Sequence, residues 1–106
     1  MTPVDLLTEA PGLAPGEAET DERLALLAKA VGHPVRAGIV RFLARQETCQ
    51  YGNLSDRLSL AKSTVSQHLK VLREAGLVRG EVDGSRVCYC IDRDGLEELK
   101  RLVAAL

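Results

Sequence analysis

The sequence predicts a small, mainly helical fold with one β-hairpin, and three observations predict it. Apolar residues recur at three- and four-residue spacing through most of residues 21–106. Gly32 and Gly76 stand where helices should stop, and Pro34 stands where one should begin. One stretch, Val87, Tyr89 and Ile91, alternates instead, and Asp83-Gly84 before it offers a tight turn.

At 106 residues the chain is one domain with a modest core. Its 45% hydrophobic and 27% charged residues are those of an ordinary globular protein. No apolar run approaches the roughly 20 residues of a membrane span. The N-terminus lacks the basic start and apolar block of a secretory signal. These features predict a cytoplasmic protein without membrane contact. Three cysteines, Cys49, Cys88 and Cys90, make an odd count and argue against a disulfide framework.

The elements follow in order. Residues 1–20 hold three of the four prolines and read as an acidic, flexible leader, with one short helical turn at Val4–Thr8. Thr20 or Asp21 can cap a first helix with Leu24, Leu27, Ala28 and Val31 on one face. Pro34 opens a second helix to about Arg45, with Val35, Ile39, Phe42 and Leu43 inward. A small helix at about Gly52–Leu58 buries Leu54 and Leu58. Ser59-Leu60-Ala61 form a turn, and a fourth helix spans about Lys62–Ala75. Leu77–Glu81 and Val87–Ile91 form the hairpin. Asp94 can cap a last helix, with Glu97 three residues on, whose apolar positions are Leu96, Leu99, Val103 and Leu106.

A short helix, a three-residue turn and a longer helix make a helix-turn-helix, and a hairpin directly after it makes a winged one. The predicted order is α-α-α-α-β-β-α, with residues 21–106 as the domain. The charge is compatible with a nucleic-acid partner and fits an ordinary solvated surface about as well. Residues 1–22 hold six acids and no Lys or Arg, leaving nine acids against fourteen bases in the rest.

Stepping the fourth helix at about 100° per residue puts Val65, Leu69 and Leu72 on the core face. Ser63, Gln67 and Lys70 then face outward, flanked by Thr64, Ser66 and Val71. Gln can pair with adenine in the major groove, Ser and Thr can meet bases or phosphates, and Lys meets mainly phosphates. The first turns of such a helix enter the groove, which favours Lys62–Gln67. Alone, such a polar face could be merely solvated; after a tight turn in a trihelical pattern it reads as a contact surface. His68 lies at the edge of the core face and suits packing or a phosphate contact better than base reading. The other histidine, His33, is far away in sequence at a helix junction, which argues against a metal role for either. Arg79 and Arg86, around the hairpin tip, either reach a phosphate or minor groove or are surface arginines. The outer apolar rows of the first and last helices either meet a partner subunit or pack on their own core.

Three stretches resemble the ArsR/SmtB family of bacterial winged-helix repressors. They are Leu27-Ala-Lys-Ala-Val-Gly-His-Pro-Val-Arg36, Ser63-Thr-Val-Ser-Gln-His-Leu-Lys-Val-Leu-Arg-Glu-Ala-Gly-Leu77 and Gly84-Ser-Arg-Val-Cys-Tyr89. The resemblance covers about residues 20–106. It implies a homodimer that binds double-stranded DNA at an inverted-repeat operator and leaves when an inducer binds. The DNA-contacting candidates are then Lys62, Ser63, Thr64, Ser66, Gln67, His68, Lys70 and Arg86.

The resemblance implies inducer sites at several positions, and this chain departs from two of them. The zinc-type site needs Asp and His pairs on the last helix, and that helix has no histidine. The arsenite-type Cys-x-Cys pair is broken here, because Cys49 matches its first cysteine while Tyr51 stands at the second. Cys88 and Cys90 add two thiols on one face of the second wing strand. If Thr48–Gln50 forms a strand beside the wing, Cys49 approaches one of them. Three thiolates suit a soft ion or metalloid such as As(III), or a redox switch. The other reading is that all three are small packing residues of a sheet. No metal is assigned, and no cofactor is required.

No catalytic constellation or Gly-rich phosphate loop stands out, so an enzyme is not predicted. A winged helix used as a protein-interaction module shares the fold without binding DNA. Apolar or acidic groups on the fourth helix would favour that reading, and the chain has Ser63, Gln67 and Lys70 there.

Overall fold

The structure is a computed structural model, and it describes residues 17–51 and 54–106. Five helices and three strands follow in the order α1 (Glu17–Val31), α2 (Pro34–Ala44), β1 (Gln50–Tyr51), α3 (Leu54–Leu58), α4 (Lys62–Ala75), β2 (Val78–Asp83), β3 (Arg86–Ile91) and α5 (Arg93–Ala104). The expected helical turn at Val4–Thr8 lies outside the described residues.

Helix α1 starts earlier than the expected Thr20 or Asp21 cap. Glu17, Ala18 and Glu19 are good helix formers, and Glu17 and Glu19 complement the dipole in the first turn. Residues 17–20 are therefore helical and continuous with the rest of α1. Pro34 opens α2 as expected, and His33 is its N-cap: its Nδ1 accepts the Val35 N–H at 3.1 Å.

Helix α4 ends on Gly76, whose φ of 87° is open to glycine at little cost. The Leu77 N–H reaches back to the Leu72 carbonyl at 2.9 Å, closing a Schellman-type stop. The hairpin is tighter than the sequence suggests. Asp83 pairs with Arg86, so only Gly84 and Ser85 form the loop, with Gly84 at φ 63°. With that register Arg79 lies near the base of the hairpin and not at its tip, opposite Cys90.

Strand β1 lies on the other side of β3, giving the antiparallel sheet order β1-β3-β2. Gln50 faces Tyr89 and Tyr51 faces Cys88. The expected alternation of Val87, Tyr89 and Ile91 fails in part: Val87 is exposed, while Cys88 and Cys90 are buried. Val82 and Val87, toward the hairpin's outer end, are exposed. Its base is covered on both faces, with Tyr89 toward α3 and α4 and Cys90 toward the end of α2.

Helix α5 is capped by Asp92, not Asp94. The Asp92 carboxylate accepts the Gly95 N–H at 3.2 Å, and the Asp92 N–H donates to the Leu77 carbonyl at 2.9 Å. The first bond closes the cap of α5, and the second ties its start to the residue after the stop of α4. A Cβ on Gly95 would overlap the Gly76 carbonyl oxygen, so the first turn of α5 rests backbone to backbone on the stop of α4.

The core is formed by α1, α2, α4, the base of the hairpin and the start of α5. Leu27, Ile39, Leu43, Leu72 and Leu77 are fully enclosed in it. Each contributes about 1.5–3 kcal/mol by leaving water. Arg23 of α1 donates through Nε to Glu98 of α5 at 2.9 Å, with its Nη2 at 2.8 Å from the same oxygen. Leu26 of α1 and Val103 of α5 are exposed, as is Leu106 beyond the C-cap of α5.

Candidate nucleic-acid interface and thiol cluster

The turn between α3 and α4 is set by the backbone. Ser59 adopts φ 53°, its N–H donates to the Asp56 carbonyl at 3.3 Å, and Leu60 N–H donates to the Ser55 carbonyl at 3.0 Å. These bonds close α3 within one turn. Ala61 is the N-cap of α4 and offers no side-chain oxygen, so the first-turn N–H groups keep their capacity for another acceptor.

Burial orients α4. Val65, Leu69, Leu72 and Ala75 are in the core. Lys62, Ser63, Ser66, Gln67 and Lys70 are exposed, and Thr64 is half-buried. Lys62 and Ser66 line a cavity of about 180 Å³ whose wall includes Tyr89 of the wing. Arg86 is exposed at the start of β3, beside the turn. The candidate contacts on α4 thus share one outer face, with the wing beside its N-terminal end.

His68 sits differently from its neighbours. It is half-buried, and its ring lies 4.6 Å from the His33 ring, centroid to centroid, at a 44° tilt. Two histidines far apart in sequence thus meet in space, because the fold brings the cap of α2 against α4. An Arg36 Nη1 stands 3.4 Å from His68 Nδ1, and a guanidinium can only donate. Both histidines therefore accept at Nδ1. Burial, reinforced by His33 and Arg36, holds the His68 pKa below its ordinary value. Arg36 also donates through Nε to the Ala30 carbonyl at 2.6 Å and through Nη2 to the Lys29 carbonyl at 3.4 Å. It thus fastens the end of α1 to the helix that carries the candidate contacts. Arg36 has no role in the sequence reading, because only the folded chain puts it beside His68.

The structure divides the three cysteines. Cys49, one residue before β1, lies beside Cys90 with Cα atoms 4.4 Å apart, the spacing of a non-hydrogen-bonded antiparallel pair. A disulfide joins them. Cys88 is buried and stays outside it, so three converging thiolates do not form. Glu81, absent from the sequence reading, takes the third place. The Cys49 and Cys90 Sγ atoms and a Glu81 carboxylate oxygen lie within 4.8 Å of one another. A cavity of about 240 Å³ opens onto the pair, lined among others by Leu43, Thr48, Arg79 and Arg93.

Residues 31–81 match a family model described as a helix-turn-helix domain. The HTH-type transcriptional repressor SmtB of Mycobacterium tuberculosis is 39% identical over 88 residues, which are 82% of this chain and 64% of that protein. The chain belongs to the ArsR/SmtB family of winged helix-turn-helix transcriptional regulators. An uncharacterised HTH-type transcriptional regulator of Methanocaldococcus jannaschii is 33% identical, over 83% of this chain and 99% of that one. A solved structure described as a possible transcriptional regulator for arsenical resistance superposes with a TM-score of 0.68. It is 34% identical over 74% of this chain and 81% of that one. The chain thus spans slightly less than two thirds of the SmtB relative's length. No described helix is long and apolar enough to cross a membrane.

Proposed function

We propose that this chain is a cytoplasmic, homodimeric repressor that binds an inverted-repeat operator in duplex DNA through α4 and the wing. The observation that carries the reading is the outer face of α4. Ser63, Ser66, Gln67 and Lys70 are exposed together on a helix whose opposite face is locked in the core. Gln67 reads a base edge, with Ser63, Thr64 and Ser66 beside it. Lys62, Lys70 and His68 meet phosphates, and Arg86 reaches the backbone or the adjacent minor groove. Leu26, Val103 and Leu106 supply apolar surface for a second subunit. Two subunits related by a twofold axis match a palindromic site.

The inducing signal acts through Cys49 and Cys90. Oxidation of the two thiols gives up two electrons and two protons, here to a peroxide-class oxidant, and ties β1 to β3. The tie joins the strand before the helix-turn-helix to the wing, so both DNA-facing parts respond to one bond.

The test is fluorescence anisotropy of reduced protein on labelled DNA from upstream of its own gene, with salt and then peroxide titrated in. Binding that weakens steeply with salt and is released by peroxide supports the reading, provided that Cys49→Ser stays bound. Binding indifferent to peroxide removes the thiol signal. A failure to select any duplex from a random pool removes DNA binding itself and favours a protein-interaction module.

A further inference from the structure

We propose that Cys49, Cys90 and Glu81, once the disulfide is reduced, form a site for a soft or borderline divalent cation. The inference deepens the thiol reading above and rests on the pair being reducible. Its geometry comes from two strands, β2 and β3, and the residue just before β1. Register alone explains why they meet: the two-residue wing turn sets Glu81 opposite Cys88 and Arg79 opposite Cys90, so Glu81 shares the face of Cys88 and Cys90. Cys49 joins that face from beyond the end of β1.

Two sulfurs bound at about 2.3 Å and one oxygen at about 2.1 Å around a single ion lie roughly 3.5–4 Å from one another. The ligand atoms already lie within 4.8 Å, so small side-chain rotations complete the set. Glu81 is exposed and can turn; its ion pair with Arg79 is long, at 3.8 Å. The cavity over the pair leaves room for a water in the fourth position. The donor set also chooses the ion. Two thiolates favour Zn²⁺ or Cd²⁺ over Mg²⁺ or Ca²⁺, while a trithiolate metalloid lacks its third sulfur because Cys88 stands outside the cluster.

The chemistry balances without a hidden reactant. A small dithiol reduces the Cys49–Cys90 bond, gives it two electrons and two protons, and leaves as its own cyclic disulfide. Binding then forms two metal–sulfur bonds and one metal–oxygen bond and releases the two thiol protons. A loaded site cannot oxidise until the ion leaves, so the cation and the oxidant compete for the same two sulfurs.

The experiment titrates Cd²⁺ into the full chain, fully reduced, and reads the thiolate-to-metal charge-transfer band in the ultraviolet. The expected result is one Cd²⁺ per protomer, with the band lost in Cys49→Ser. Loss of an outer-sphere partner alone weakens metal sites by about 10–100-fold, so Glu81→Gln should weaken this one by roughly tenfold or more. Cys88→Ala should bind as the native chain does. Undiminished affinity in Glu81→Gln, loss of the band in Cys88→Ala, or no band in the native chain overturns the proposal. Operator affinity is measured separately on metal-free reduced and oxidised protein. Equal affinities there refute the redox signal and leave the Cd²⁺ result to stand by its own readout.

Discussion

Reducing the Cys49–Cys90 bond should lower the stability of the domain by an amount that can be worked out from its place in the chain. The two residues are 41 positions apart and enclose β1, α3, α4 and β2. Cross-linking a loop of that length removes roughly 13 cal/mol/K of entropy from the unfolded chain, or about 4 kcal/mol at 25 °C. Domains of this size have about 5–15 kcal/mol in all, so the effect is large. The assay is urea denaturation followed by circular dichroism, with and without a dithiol reductant, at one fixed protomer concentration. The midpoint should fall on reduction in the native chain. Cys49→Ser should start at the reduced midpoint and ignore the reductant. An unchanged midpoint on reduction would refute the argument, because a bond closing this loop cannot be neutral unless the unfolded chain already holds its ends together.

Replacing Gln67 by Ala should weaken specific binding by about 1–3 kcal/mol and leave random-sequence binding unchanged, by anisotropy on both duplexes. Lys70→Ala should instead weaken both and lower the salt slope by about one; an effect on one sequence only would contradict a phosphate contact. Gly95→Ala should cost roughly 2–3 kcal/mol in the same urea assay, since its Cβ would overlap the Gly76 carbonyl. Because the His68 pKa is lowered in the fold, the unfolded chain takes up that proton first. Stability should then fall as pH drops below about 6.5, the ordinary histidine value, and level off below the lowered one. His68→Gln should flatten this dependence, and a slope identical to that of the native chain would rule His68 out as its source.

What the sequence discloses and what it withholds differ by range. The face of α4 is legible because its period, its glycine stop and the turn before it all point one way, and the structure buries Val65, Leu69 and Leu72 accordingly. The start of α5 is misread because Asp92 and Asp94 are both competent caps. Glu97 favours the second, while the backbone contact of Gly95 with Gly76 decides for the first. Glu81 is legible only after the wing turn is cut to two residues, since register alone puts it on the cysteine face. The approach of Cys49 to Cys90 could be stated only as a condition on a strand beside the wing, and β1 meets that condition starting two residues further along. The meeting of His33, Arg36 and His68 has no sequence signal, because it depends on how α2 crosses α4.

Arg36 makes lever arms of two helices. Its guanidinium holds the last carbonyls of α1 and stands against the imidazole of α4, so these helices turn together as one stiff piece. In the proposed dimer each reading helix stands about 17 Å from the dyad, half the pitch of the duplex. A hinge opening of only five degrees or so between protomers then swings it by roughly 1.5 Å, more than the tolerance of a hydrogen bond. In the proposed repressor, a strain passed from the wing to the subunit seam would therefore need to change the angle between protomers only slightly to break these contacts.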